Sequence, residues 1–298
     1  MMKISVVIPY YNELGKLYLV LYNLHNVQTM PPDEIIVVDD DSTDGSLDEL
    51  KKEFNFIEVK NNIAVDGKHR AGQARNKGAS QATGDILLFQ DNDVLLGKHY
   101  IENVGKYFEN HSGIISGEYW DIDEQVQDLP EHVLFEYLEE KEAYIIDRAK
   151  DNAQIITWLP EAMESRQFAI RKVDFKDFGG FDEKFIGWGC EDTEFFYRIT
   201  TKFHRSIYMN RALYAFHMEH PVDMVSMMDS MKANAAYFIS LYPEVKNKFR
   251  LMWDSFDVLG NNKGLRRTYE KVKELREKTG NPQFGISPCM RAKGLWRY

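Results

Sequence analysis

The chain has 298 residues, 44% hydrophobic and 13% aromatic, with 37 Lys and Arg against 47 Asp and Glu for a net charge of −10. This apolar content excludes global disorder, and the acidic balance excludes a general binder of nucleic acid. No apolar run reaches the ~20 residues that span a bilayer, and Cys190 and Cys289 form neither a disulfide framework nor a CxxC zinc pair, so a soluble cytoplasmic protein is expected.

In chain order, Ile4 to Ile8 is a β-branched run that predicts a strand buried on both faces, stopped by Pro9. Leu14, Leu17, Leu21 and Leu24 recur at helical spacing. Glu34 to Val38 predicts a second buried strand running into Asp39-Asp40-Asp41, with Asp44 as the cap of the next helix. A short strand follows at 56–59, then an Ala- and Gly-rich helix at 71–82. Asp85 to Phe89 is a fourth strand, ending in Asp91-Asn92-Asp93. Strands alternating with helices imply right-handed crossovers and a mostly parallel sheet. Ligands of such sheets bind beyond the carboxyl ends of the strands, so the two acidic clusters belong on one edge.

Further on, residues 131–150 read as an amphipathic helix and 166–173 as a strand. Gly179-Gly180 and Gly187-Trp188-Gly189 mark loops, a helix covers 193–199, and a strand covers 212–216. From Pro221 onward the pattern is helical, with Met224, Met227, Met228 and Met231 as a core-packing stripe. Charge is uneven: residues 261–298 sum to +7, the rest to −17.

Five places could carry chemistry. Asp91 and Asp93 can both reach one hard cation such as Mg²⁺ or Mn²⁺, though Asp-x-Asp also serves in turns. Asp39 to Gly45 is not a calcium loop, because Lys51 stands where a bidentate Glu is required. It remains a capped loop or an acidic strand end that accepts from nucleobase or ribose donors. Trp188 between glycines offers a flat face to a sugar, or packs in a core. Glu191 and Asp192 open a helix, where a carboxylate stays ionised and suits a general base or simply complements the dipole. His217 is a structural histidine or a third metal ligand. Arg75 opens a helix able to meet a diphosphate, or lies on a surface helix. No Walker, GxGxxG, GxSxG or HExxH motif is present.

In this order, Val6-Val7-Ile8-Pro9-Tyr10-Tyr11-Asn12, Val37 to Ser46, Ala74 to Gly78 and Asp91-Asn92-Asp93 resemble the family 2 glycosyltransferases with the GT-A fold. Gly187-Trp188-Gly189-Cys190-Glu191-Asp192 followed by Phe216-His217 resembles the chondroitin polymerase-like and galactosyltransferase-like branch. The resemblance covers about residues 3–220. It implies an α/β GT-A domain over 1–220, with a nucleotide-binding half at 1–120 and an acceptor half at 121–220. A helical extension with a basic tail fills 221–298.

The resemblance further implies an inverting transferase of polysaccharide biosynthesis. It would move a hexose or N-acetylhexosamine from a UDP-sugar to a glycan or lipid-linked saccharide, with Mn²⁺ or Mg²⁺ as cofactor. Pro9, Tyr11 and Glu13 would line the nucleotide site, with Asp40 on the uracil and Asp39 beside it. Arg75 would approach the diphosphate. Asp91 would serve the ribose or metal, while Asp93 and His217 would ligate the metal. Asp192 would be the base, with Glu191 and Trp188 holding the acceptor. Asp41 and Cys190 stand where the family usually has glycine. The alternatives are a non-catalytic nucleotide-sugar binder and a nucleotidyltransferase. The basic tail would contact an anionic membrane surface peripherally, or pack on the acidic body.

Overall fold

The computed structural model describes residues 2–44, 47–61, 69–149, 155–157, 164–249 and a few short stretches after that. Its main sheet begins with β1 (Ile4–Tyr10), β2 (Glu34–Asp39), β3 (Ile57–Asn61) and β4 (Ile86–Gln90), parallel in the order β3-β2-β1-β4. Beyond β4 the sheet turns mixed: β8 (Gln167–Arg171) runs antiparallel between β4 and β6 (Ile114–Ile122). Then β9 (Ile207–Met218) lies parallel to β6, and β5 (Val94–Leu96) and β7 (Ile155–Thr157) both pair antiparallel to β9.

Alternation with period two explains why the central strands are apolar throughout. Val6, Ile8, Ile35, Val37, Ile86 and Leu88 enter one core, packed by α1 (Leu14–Tyr22), α4 (Tyr100–Asn110) and α6 (Glu131–Ala149). Val7, Ile36, Val38, Leu87 and Phe89 enter the other, against α3 (Ala71–Gln81), α7 (Lys172–Asp177) and α8 (Glu191–Lys202). A third cluster joins Phe185 and Tyr197 to Met227, Met228, Met231 and Phe238 of α9 (Met224–Leu241), so these three methionines of the stripe are core packing. The α2 helix (Leu47–Glu53), the short α5 (Glu124–Gln127) and α10 (Val245–Lys248) complete the described helices longer than three residues, apart from a π turn at Asn23–Val27.

Several expectations are corrected. Pro9 does not stop β1, which continues to Tyr10 in register with β2. The ladder to β4 has ended at Val7, so the missing N–H leaves no bond unmade there. Asp44, expected to cap α2, also accepts from the Tyr10 hydroxyl and the Leu14 amide at the start of α1, while residues 45–46 between it and α2 lie outside the described residues. The segment after Asp93 holds β5 and α4, and the stretch read as wholly helical begins with β10 (Pro221–Asp223), paired with β11 (Ile286–Pro288). Apart from residues 270, 273–274 and 277–278, the rest of the basic tail, 289–298 included, lies outside the described residues. No described helix is long and apolar enough to cross a membrane.

One irregularity sets the site. Ser116 of β6 faces Met209, whereas Glu118 faces Tyr214, so β9 spends five steps where β6 spends two. The excess folds back over Gly117, where a Cβ would sit 1.9 Å from the Leu213 carbonyl oxygen. Only after this bulge does Asp121 come level with His217. Gly117→Ala is therefore expected to cost about 1–3 kcal/mol or more of stability, as overpacking against backbone does, read as a lowered urea midpoint.

Candidate active site

The carboxyl ends of β1 and β2 form the first wall. The Asp40 amide donates to the Tyr10 carbonyl at 2.8 Å. Its carboxylate is fully buried, 3.0 Å from His69 Nδ1, and accepts from the Arg70 amide. Tyr11, 38% exposed, lies against the His69 ring at 5.6 Å. Asn12 and Glu13 take left-handed φ of 55° and 63°. That costly conformation is braced: the Asn12 amide donates to Ser42 Oγ, the Thr43 amide donates to Asn12 Oδ1, and the Ser42 amide donates to Asp39 Oδ1, each at 2.9 Å. Pro9 is buried within β1, and Glu13 sits 3.4 Å from Lys16.

Beyond β4 lie the carboxylates expected to hold a cation. Asp93 Oδ2 is 3.4 Å from His217 Nε2 and 3.5 Å from His220 Nε2. Ligand atoms of these three residues all lie within 4.8 Å of one another. The other oxygen, Asp93 Oδ1, is buried without a hydrogen-bond partner. One carboxylate and two imidazoles form a donor set suited to a first-row divalent ion. An orphaned buried oxygen is what such an ion would satisfy, so the residues fit a metal. Burial alone would raise the pKa of Asp93, but the hydrogen bond and charge of His217 outweigh it and hold the carboxyl well below the usual range.

His217 Nδ1 lies 2.9 Å from Asp121 Oδ1. A carboxylate only accepts, so Nδ1 keeps its proton toward Asp121; with an ion bound, Nε2, the nitrogen that faces Asp93, would be the one to offer its lone pair. Burial depresses the pKa of His217, yet the bonds to Asp121 and Asp93 raise it on balance. Asp121→Ala is expected to weaken Mn²⁺ binding about 10–100-fold by titration calorimetry, with Asp121→Asn milder because its carbonyl still accepts from Nδ1.

Asp91 is not among the grouped ligands. Its Oδ1 accepts from Arg75 Nη2 at 2.7 Å, and Arg75 Nη1 lies 3.4 Å from Glu191 Oε1. Arg75 is thus a buried rivet between the end of β4 and the start of α8, rather than a residue of a surface helix. Burial disfavours its charge, but Asp91 and Glu191 more than offset this, so it stays a cation.

Glu191 and Asp192 are the first two residues of α8, entered through Cys190 at φ 72°. Asp192 accepts from the Thr193 amide at 2.6 Å and lies 3.4 Å from the Ser165 amide. Its carboxyl is pushed up to about 7, by burial first and then by Glu191 and Glu164. Such a group can take up a proton near neutrality. Glu164 in turn accepts from the Tyr119 hydroxyl at 3.0 Å and from Arg166 Nε at 2.6 Å, and that guanidinium stacks 4.6 Å over Tyr119. Trp188 is 41% exposed, so it is no core residue.

The structure therefore brings Asp91, Asp93, Arg75, Glu191, Asp192 and His217 to one sheet edge, with Tyr11, Asp39 and Asp40 on the neighbouring strand ends. Three further residues of the site are not marked by the motifs: His220 as a candidate ligand, Asp121 behind His217, and His69 beside Asp40. His220, three residues after a strand-borne His217, is a signal in the sequence; Asp121 depends on the pairing of β6 with β9, and His69 on the path of the segment before α3 past the end of β2.

Comparison with known proteins gives the following. The profile described as Glycosyl transferase family 2 matches residues 5–173, and that described as N-terminal domain of galactosyltransferase matches 167–221. The chain is 25% identical to the uncharacterized glycosyltransferase YfnE of Bacillus subtilis, over 83% of this chain and 72% of that protein. It is 32% identical to a validoxylamine A glucosyltransferase of Streptomyces hygroscopicus, over 66% of this chain but only 47% of that one, so it spans about half of the latter's length. A crystal structure of GalNAc-T7 with UDP, GalNAc and Mn²⁺ superimposes at a TM-score of 0.63 and 19% identity, over 93% of this chain and 54% of the other.

Proposed function

The chain belongs to glycosyl transferase family 2, and from that premise we propose that it transfers a hexose or N-acetylhexosamine from a UDP-sugar to a hydroxyl of a glycan or lipid-linked saccharide, with inversion. The observation that carries this reading is the pairing, across the Arg75 rivet, of a candidate cation site with a carboxylate titrating near neutrality.

In this reading Asp192 takes the proton from the acceptor hydroxyl as its oxygen attacks the anomeric carbon. The bond from that carbon to the nucleoside diphosphate breaks on the opposite face, which inverts the configuration. Asp93, His217 and His220 would hold the ion, which when bound neutralises charge on the departing diphosphate. Tyr11, Asp40 and His69 would receive the base, and Trp188 would offer its face to the acceptor sugar. The Mn²⁺ and UDP in the GalNAc-T7 structure support the choice of donor and metal.

A panel of UDP-sugars with Mn²⁺ tests this. Release of UDP, faster with an added saccharide, is expected. Release of pyrophosphate from UTP and a sugar 1-phosphate, in a parallel assay, would instead establish a nucleotidyltransferase, and donor binding without turnover would establish a binding protein.

A further inference from the structure

The loop that carries Trp188 is held from a part of the chain outside both family matches, which end at 173 and 221. Asn234, on α9 and 4% exposed, directs its whole amide into residues 186–189. Its Nδ2 donates to the carbonyls of Ile186, Trp188 and Gly189 at 3.1, 3.3 and 2.8 Å, and its Oδ1 accepts from the Ile186 amide at 3.3 Å. The backbone there is left-handed: Gly187, Gly189 and Cys190 all have positive φ, of 75°, 91° and 72°, which glycine takes freely and Cys190 takes at a cost. It also runs so close to α9 that a Cβ on Gly187 would meet Ser230 Oγ at 2.4 Å, and one on Gly189 would meet Met231 Cε at 2.7 Å. On its far side the loop is tied to the base-side wall, because the Gly187 amide donates to the His69 carbonyl at 2.8 Å. Its next residues are Cys190, Glu191 and Asp192.

We infer that Asn234 is a positioning residue, the clasp by which α9 fixes the Trp188 loop and so aligns an acceptor with Asp192. A buried side chain spending both ends of its amide on another segment's backbone sets that segment's path, and its loss leaves buried carbonyls unpaired. The functional half of this claim rests on the proposed transferase reading, whereas the structural half does not. Positioning acts on the orientation of the acceptor, for which ångström-scale misplacement costs up to about 100-fold in rate.

The test uses the full chain, with Asn234→Ala and the isosteric Asn234→Asp, which keeps the packing but loses both N–H donors. Hydrogen–deuterium exchange should accelerate at least tenfold at the Ile186 and Gly187 amides in Asn234→Ala, and at the Gly187 amide in Asn234→Asp, with β1 and β4 unchanged in both. The Asp carboxylate still accepts from Ile186 but repels the carbonyls of Ile186, Trp188 and Gly189. Transfer to saccharide should fall about 10–100-fold, while slow hydrolysis of the UDP-sugar and UDP affinity stay within about twofold. Unchanged loop exchange in the folded Asp variant overturns the clasp. Equal losses of hydrolysis and transfer overturn its role in aligning the acceptor. If the wild-type chain turns over no UDP-sugar, the transferase reading fails, and the exchange result still decides whether Asn234 holds the loop.

Discussion

Asp192→Asn is expected to lower the turnover of glycosyl transfer by about 10²–10⁴-fold, the usual contribution of a general base, while leaving UDP-sugar affinity within a few-fold of wild type. The shape of the side chain is kept, and its Oδ1 can still accept from the Thr193 amide, so helix α8 starts as before. What would be lost is the proposed proton acceptor. Steady-state kinetics at saturating donor measure the first effect, and calorimetry with UDP measures the second. Near-normal turnover of the variant would remove Asp192 from the reaction.

The pH dependence follows with a definite sign. A base must be ionised, and the Asp192 carboxyl is raised to about 7, so wild-type turnover should fall about tenfold per pH unit on the acid side of neutrality. Stability moves the opposite way. A carboxyl whose folded pKa lies above its unfolded value binds its proton more tightly in the native state. The native state is therefore favoured below about pH 4, and that advantage is lost as pH rises through about 7. Asn has no charge to bury, so the variant should gain about 1–3 kcal/mol over wild type at pH 8, and nothing at pH 4. Denaturant melts at the two pH values separate these outcomes. A more stable, inactive variant is the pattern of a site that trades stability for reactivity.

How far the chain could be read without coordinates depends on how local each signal is. The β-branched runs of β1 and β2 and the apolar run of β4 are contiguous, so their strands and the acidic clusters after them were legible to within a residue or two. Helix α4 is weakly marked although Tyr100, Ile101, Val104, Tyr107 and Phe108 recur at helical spacing and are buried. Its His99 start offers no side-chain cap to announce it. Helix α8 starts at Glu191, two residues before the expected 193, and a left-handed Cys190 leaves no Ser or Asp cap to mark that start. Asp121 and His69 carry no local mark at all. Asp121 meets His217 only because β6 and β9 run parallel after a bulge, and Asn234 reaches Ile186 across 48 residues of chain. Such partners are set by sheet register and helix packing, which hydrophobic periodicity does not encode.

The largest effect on metal binding is expected at Asp93, and the comparison that matters is between His220 and Asp91. Sequence spacing suggests Asp91 as the second carboxylate ligand, yet its oxygen is committed to Arg75 at 2.7 Å, while His220 Nε2 stands 3.5 Å from Asp93. Asp93→Ala removes the one carboxylate shared by both imidazoles and leaves two neutral nitrogens, a weak set for Mn²⁺, which favours oxygen donors. Its Mn²⁺ dissociation constant should rise at least 100-fold, and Mn²⁺ should no longer strengthen UDP binding. Turnover should fall by 10²–10³-fold or more, as when one preorganised charge-stabilising group is deleted. His220→Ala should weaken Mn²⁺ about 10–100-fold, in the range seen when metal-site groups are lost. Asp91→Asn keeps an acceptor for Arg75 and should change Mn²⁺ affinity less than tenfold. It should still slow turnover, because the rivet between β4 and α8 loses its charge pairing. Titration of Mn²⁺ followed by electron paramagnetic resonance ranks the three variants directly. An order with Asp91→Asn below His220→Ala in affinity would return the metal to the Asp91 and Asp93 pair, with His220 only a neighbour.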